Sequence, residues 1–246
     1  MYKNYIFDLY GTLVDIRTNE NKENLWKGMA ELYRNVGAVY EAEELKRDYF
    51  LLCREEEERI RREKECEYPE IEIGEVFRKL YMRKNVRVGA ETAVYAARRF
   101  RQWSREYIRV YEGAAEMLAE LKRIGRRVFL LSNAQRLFTM PEIETLGIEK
   151  FFDDIFISSD YGVKKPERAY MELLLKKQHL KTKDCVMIGN ELGSDIEIAN
   201  ACGMDSLFLQ GNVQETSKKG TAATYVAAEG DFEHIRFIYD WKEDGK

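Results

Sequence analysis

The stretch Tyr5-Ile-Phe-Asp-Leu-Tyr-Gly-Thr-Leu-Val14 decides the fold. Its unbroken apolar run, Tyr5-Ile6-Phe7, reads as a buried strand, and it ends on a carboxylate, Asp8. Gly11 then supplies a flexible turn residue and Thr12 a hydroxyl. A strand, an acid and a glycine turn together hold one nucleophilic oxygen at the carboxyl edge of a sheet.

Moving outward, the pattern changes twice. Between about 18 and 108 no strand is predicted. Leu25, Met29, Leu32, Tyr33 and Val36 recur at helical spacing. So do Leu45, Tyr49 and Leu52, then Val76, Phe77, Leu80 and Tyr81. Residues 55–67 form a charge run broken by Ile60 and Cys66, the pattern of a solvated helix face laced with i,i+4 pairs. Tyr68-Pro69 is expected to end that helix. Residues 91–109 read as helix again, with Ala93, Ala96, Ala97, Phe100, Trp103 and Tyr107 near one face. From Tyr111 onward strand alternates with helix. An amphipathic helix over 113–124 stops at Gly125, and apolar strands follow at 127–131, 156–157, 185–188, 206–209 and 224–227. Pro166 suits the first turn of a helix, residues 195–202 read as helix, and 210–222 as a polar surface loop. Such alternation means a parallel sheet covered on both faces.

Composition bounds the function. The chain has 246 residues, 45% hydrophobic and 34% charged, enough to bury a sizeable core. A net charge of -4 gives no reason to expect nucleic acid or an anionic membrane as partner. No apolar run approaches the roughly 20 residues of a membrane span, and the first strand begins too early for a signal peptide. Cys53, Cys66, Cys185 and Cys202 are scattered, which favours reduced thiols in a cytoplasmic protein over disulfides or zinc. The two histidines, His179 and His234, sit in no motif.

Four strands end in polar residues: Asp8, then Ser132-Asn133, then Ser158-Ser159-Asp160, then Gly189-Asn190 with Glu191 and Asp195 close behind. Lys165 adds a cation. In an open parallel sheet these ends form the ligand crevice.

In this order the residues resemble the haloacid dehalogenase-like hydrolases. Asp8-Leu-Tyr-Gly-Thr-Leu-Val-Asp15 is similar to the family's first motif, and Leu131-Ser-Asn133 to the second. Gly162-Val-Lys-Lys-Pro166 is similar to the third, which selects Lys165 over Lys164. Ile188-Gly-Asn-Glu-Leu-Gly-Ser-Asp-Ile196 is similar to the fourth. The resemblance implies an α/β fold: a Rossmann-like parallel sheet core, residues 1–15 and 109–246, with an all-helical cap inserted over 16–108. It also implies a small phosphorylated substrate and a covalent aspartyl intermediate on Asp8, with Lys165 cancelling charge. Ser132 would bind the transferring oxygens, Asn133 would help orient them, and Thr12 would orient the Asp8 loop. Mg²⁺ would be bound by Asp8, the Tyr10 carbonyl and the Asn190, Glu191 and Asp195 segment.

Two positions depart from the phosphatase pattern. Tyr10 stands where an aspartate usually protonates the leaving oxygen, so good leaving groups are expected to be favoured. Asn190 stands where a metal-binding aspartate is usual, so weaker Mg²⁺ binding is expected. A tyrosine at that first position also resembles the metal-free 2-haloacid dehalogenases, in which a cap arginine cradles halide; Arg34 and Arg47 match only by rough position. A third alternative is a catalytically weak binding or regulatory member.

Overall fold

A computed structural model describes residues 2–211, 222–230 and 232. The core is a six-stranded, all-parallel sheet. Its strands are β1 (Asn4–Phe7), β4 (Arg127–Ser132), β5 (Asp154–Ile157), β6 (Cys185–Gly189), β7 (Asp205–Gln210) and β8 (Tyr225–Ala228). Their spatial order is β5-β4-β1-β6-β7-β8, so β1 lies inside the sheet, between β4 and β6. Alternation along β1 explains the two apolar faces. Tyr5 and Phe7 join Val128, Leu130, Val186 and Ile188 on one side, against Leu118 and Leu121 of α5 (Ala114–Arg123) and Ile143 of α6 (Arg136–Thr145). Ile6 joins Phe129, Leu131 and Met187 on the other, against Tyr170 and Leu174 of α7 (Arg168–Lys177) and Ile198 of α8 (Glu197–Ala201). The expected α/β class, with its parallel sheet, is what the chain adopts.

The insert has a core of its own. Helices α1 (Glu23–Arg34), α2 (Ala42–Lys64), α3 (Ile73–Arg83) and α4 (Ala90–Ser104) enclose Trp26, Tyr33, Tyr49, Phe77, Tyr81 and Phe100. Trp26, Tyr49 and Phe77 pack ring on ring with one another or with Phe100, at centroid separations of 5.0–5.6 Å.

Several boundaries differ from the sequence reading. The helix expected over 91–109 stops at Ser104, and β3 (Arg105–Val110) pairs antiparallel with β2 (Val14–Thr18). Tyr107, Ile108 and Val110 favour this extended form, and Tyr107 is therefore not on the α4 face. Asp15 pairs with Arg109 and Ile16 with Ile108, so the two chain crossings between sheet and insert run side by side. Val36 lies beyond α1 and is exposed. The charge-run helix ends at Lys64, where Glu65 turns left-handed (φ 50°), before Tyr68-Pro69 is reached. Pro166 precedes α7 by two residues instead of opening it. The helix expected over 195–202 is a π turn, Leu192–Ile196, running into α8. Helix α6, with Pro141 inside it, has no counterpart in the sequence reading. The polar loop at 210–222 and His234 fall largely outside the described residues. Among the described residues no helix is long and apolar enough to cross a membrane.

Candidate active site

The carboxyl ends of β1, β4 and β6 bring the polar groups together. Asp8 follows the last residue of β1, and its N–H donates to the Ile188 carbonyl of β6 at 2.9 Å. Its carboxylate is 7% exposed and accepts from Lys165 Nζ through Oδ1 at 2.7 Å. No described residue bonds its second oxygen, Oδ2. Lys165 Nζ also donates to Asp195 Oδ1 at 2.6 Å and to the Leu131 carbonyl at 2.8 Å. All three ammonium protons are thus committed. Burial alone would lower the Lys165 pKa, but Asp195 and Asp8 outweigh it and hold the ammonium protonated. Burial likewise pushes Asp195 up, and the Lys165 charge opposes it.

Asn133 holds the lysine loop. Its Oδ1 accepts from the Lys165 N–H at 2.8 Å, and its Nδ2 donates to the Lys165 carbonyl at 3.0 Å. Asn133, expected to help orient the transferring oxygens, places its Oδ1 and one amide N–H on the backbone of Lys165. Ser132 is different. Its side-chain Oγ is buried and has no hydrogen-bond partner among the described residues. Its carbonyl accepts from Tyr170 Oη at 3.1 Å, which anchors the strand end. Thr12, fully buried, donates from Oγ1 to Asn190 Oδ1 at 3.2 Å and ties the Asp8 turn to the end of β6.

Gly11 sits at φ +78°, and a Cβ there would come within 2.3 Å of the Asn190 amide. The turn therefore needs glycine for its dihedral and for the close approach of Asn190. Asp195 accepts from the Glu191 N–H through Oδ2 at 3.0 Å, so both its oxygens are engaged. Glu191 is exposed and accepts from Ser194 Oγ at 2.7 Å. Among the described residues no three His, Cys, Asp or Glu side chains cluster as a metal site. What remains is Asp8 Oδ2, the Tyr10 carbonyl and Asn190 Oδ1. The 9–14 turn closes through acceptors at Leu9 and Val14, which leaves the Tyr10 carbonyl out of it. These are oxygen donors with a single carboxylate, a set that fits a hard cation retaining much of its hydration, such as Mg²⁺.

Tyr10 is turned to other partners. Its hydroxyl donates to Glu142 Oε2 at 2.5 Å and lies 3.1 Å from Thr139 Oγ1. Burial and then Glu142 push its pKa up, so the phenol keeps its proton. Glu142, on α6, is itself buried and is held by two arginines of the insert. Arg101 donates from Nε at 2.7 Å and Nη2 at 3.0 Å, and Arg105 from Nη1 at 3.1 Å. Burial would raise the Glu142 pKa, but Arg101 leads the groups that bring it below the usual carboxylate range. Arg34 and Arg47, by contrast, are exposed.

A second seam joins the insert to the lysine loop. The Glu70 N–H donates to the Gly162 carbonyl at 3.1 Å, and the Lys164 N–H to the Tyr68 carbonyl at 3.0 Å. The Glu70 carboxylate is buried and accepts from Ser158 Oγ at 2.8 Å and from Gln135 Nε2 at 2.9 Å. Sequence reasoning missed Glu142, Arg101, Arg105 and Glu70. No motif marks them, and these side-chain partnerships span 37 to 132 residues of chain.

The model of the haloacid dehalogenase-like hydrolase family matches residues 2–203. The chain is 30% identical over 97 residues to glyceraldehyde 3-phosphate phosphatase of Methanocaldococcus jannaschii, covering 39% of this chain and 42% of that protein. It is 31% identical over 100 residues to phosphoglycolate phosphatase of Colwellia psychrerythraea, covering 41% and 44%. The matched part is thus less than half the length of each of these curated relatives. Among solved structures, a 2-haloacid dehalogenase of Pseudomonas syringae pv. Tomato superposes with a TM-score of 0.72 at 16% identity, covering 98% of this chain and 100% of that one. The hydrolase YfnB of Bacillus subtilis, bound to magnesium, gives 0.57 at 17% identity, covering 97% and 99%. At such identities the likeness is one of fold.

Proposed function

The chain belongs to the haloacid dehalogenase-like hydrolases, and we propose that it is a phosphohydrolase acting through Asp8 on a small phosphorylated substrate with a good leaving group. The phosphatase names among its relatives support a small phosphorylated substrate, and the leaving-group preference rests on Tyr10 alone. The observation that carries the reading is the buried, unpartnered Ser132 hydroxyl at the strand end next to the Asp8–Lys165 pair. An orphaned hydroxyl there is a donor awaiting an oxygen.

One oxygen of the Asp8 carboxylate attacks phosphorus; a P–O bond to that oxygen forms and the bond to the leaving oxygen breaks. Ser132 Oγ donates to a phosphoryl oxygen, and Lys165 keeps Asp8 ionised and balances the incoming negative charge. The leaving group departs as an anion, because the Tyr10 proton is already donated to Glu142. Acyl phosphates and phosphoanhydrides tolerate this; sugar phosphates suffer. Water then attacks phosphorus; the bond from phosphorus to the Asp8 oxygen breaks, phosphate leaves, Asp8 is restored as a carboxylate, and one proton of the water passes to solvent. Asp8, the Tyr10 carbonyl and Asn190 would hold Mg²⁺ weakly, with Glu191 and Asp195 behind them; the ion would supply further charge neutralisation at the phosphoryl oxygens.

The test is phosphate release from acetyl phosphate against halide release from a 2-haloacid, each with Mg²⁺ and with EDTA. Phosphate release that falls with EDTA is expected. Halide release indifferent to EDTA would establish a metal-free dehalogenase instead, and an equal residual rate in Asp8→Asn would leave a binding protein.

A further inference from the structure

A cavity of about 420 Å³ opens between α4 and α6, on the seam between insert and sheet. Three arginines line it, Arg98 and Arg101 one turn apart on α4 and Arg105 at the start of β3. Phe138 and Pro141 of α6 give it apolar wall. The charges on this rim are not balanced. Arg105 gives Glu142 one guanidinium N–H, and the rest of its fork is unspent among the described residues. Arg98 is exposed and makes no ion pair with a described residue. Glu144 also lines the rim, exposed and with no described ion pair. On the α2–α3 surface the arginines are matched differently: Arg59 reaches Glu56 and Glu63, Arg78 reaches Glu75, and Arg83 reaches Asp48 and Glu55.

The wall and the charge belong together. The Arg101 guanidinium lies 5.4 Å from the Phe138 ring centroid and 5.5 Å from that of Tyr10, so it bridges the cavity wall and the catalytic turn. We propose that this cavity binds a small organic oxyanion with an apolar or aromatic body, with Arg98 and Arg105 taking the anionic head and Phe138 and Pro141 the body. None of Asp8, Ser132 and Lys165 lines this cavity. It is joined to their crevice through Glu142, which Arg101, Arg105 and the Tyr10 hydroxyl share. An anion on Arg105 competes with Glu142 and loosens the hold on Tyr10. The bound molecule is therefore an effector of the hydrolase and not its substrate, a role that rests on the phosphohydrolase reading, whereas the binding itself does not.

Calorimetric titration of phenylphosphonate into the full chain tests it, since its C–P bond is not hydrolysed. Saturable binding at millimolar affinity or tighter is expected, weakened about tenfold in Arg98→Gln and unchanged in Ser132→Ala. Arg98 is exposed, so its variant keeps the fold. Benzyl alcohol, which lacks the anion, should not bind. Binding lost in Ser132→Ala but kept in Arg98→Gln would move the molecule to the Asp8 crevice and overturn the site. So would equal binding of benzyl alcohol, or no heat up to about 10 mM phenylphosphonate. Because the readout is binding, a protein without phosphatase activity would still bind phenylphosphonate, and an active phosphatase that fails to bind it refutes the cavity alone.

Discussion

The Ser132 hydroxyl is buried without a described partner, and an unpaired buried hydroxyl costs about 1–3 kcal/mol. Ser132→Ala therefore separates function from stability. Turnover should fall about a hundredfold, as for loss of one oxyanion donor, while the melting temperature stays level or rises. A lower melting temperature with unchanged turnover would make Ser132 a structural residue. Tyr10 gives the opposite pattern. Its hydroxyl donates to the ionised Glu142, a charge-assisted bond worth about 1.5–3 kcal/mol. Tyr10→Phe should lose roughly that much stability in urea unfolding. The dependence of kcat/KM on leaving-group pKa should not change, since the phenol gives its proton to Glu142 and not to the leaving oxygen. A steeper dependence in the variant would restore Tyr10 as the proton donor.

Among the elements, the segment from Tyr68 to Glu70 bridges the insert to the loop carrying Lys165. Burial raises the Glu70 pKa from its usual 4.5, and Lys164 only partly offsets it. An acid whose folded pKa is raised stabilises the fold below its unfolded pKa and loses that contribution as pH rises through the folded value. Glu70→Gln should thus gain stability relative to the wild type as pH rises above the usual carboxylate range, read as the difference in melting temperature. A gap that does not change with pH would show that Glu70 titrates normally. The sheet itself was legible because β1, β4 and β6 are short apolar runs buried on both faces. The ribbon of β2 and β3 was not, because Arg17, Arg105, Glu106 and Arg109 break its apolar pattern and its pairing is long-range. Helix α6 was hidden by Pro141, which argues against a helix interior. Asp8 and Ser132 were readable as polar punctuation after apolar strands, and Lys165 through the resemblance of residues 162–166 to the third motif. The roles of Asn133 and Asp195 were not, since both are consumed by Lys165, more than 29 residues distant in each case.

Taken whole, the molecule has two apolar regions that share no residue: the sheet faces, and the cluster around Trp26, Tyr49 and Phe100. The ties described here between them are the ribbon of β2 and β3, the bridge at Glu70, and the clamp of Arg101 and Arg105 on Glu142. Leu137 and Phe138 of α6 also pack against the insert cluster and Cys66 against the sheet, so apolar contact joins these largely polar ties. Removing one partner of a buried ion pair costs about 3–5 kcal/mol, because the other charges stay desolvated. In Glu142→Ala that cost falls on Arg101 and Arg105, which belong to the insert side. Native-state hydrogen exchange should then show amides of α1–α4 opening faster, with those of β1, β4 and β6 near their wild-type protection. The apolar clusters predict this asymmetry, since neither the sheet core nor its ladder contains the clamp. Equal acceleration in both regions would mean that insert and sheet unfold as one unit despite their separate cores.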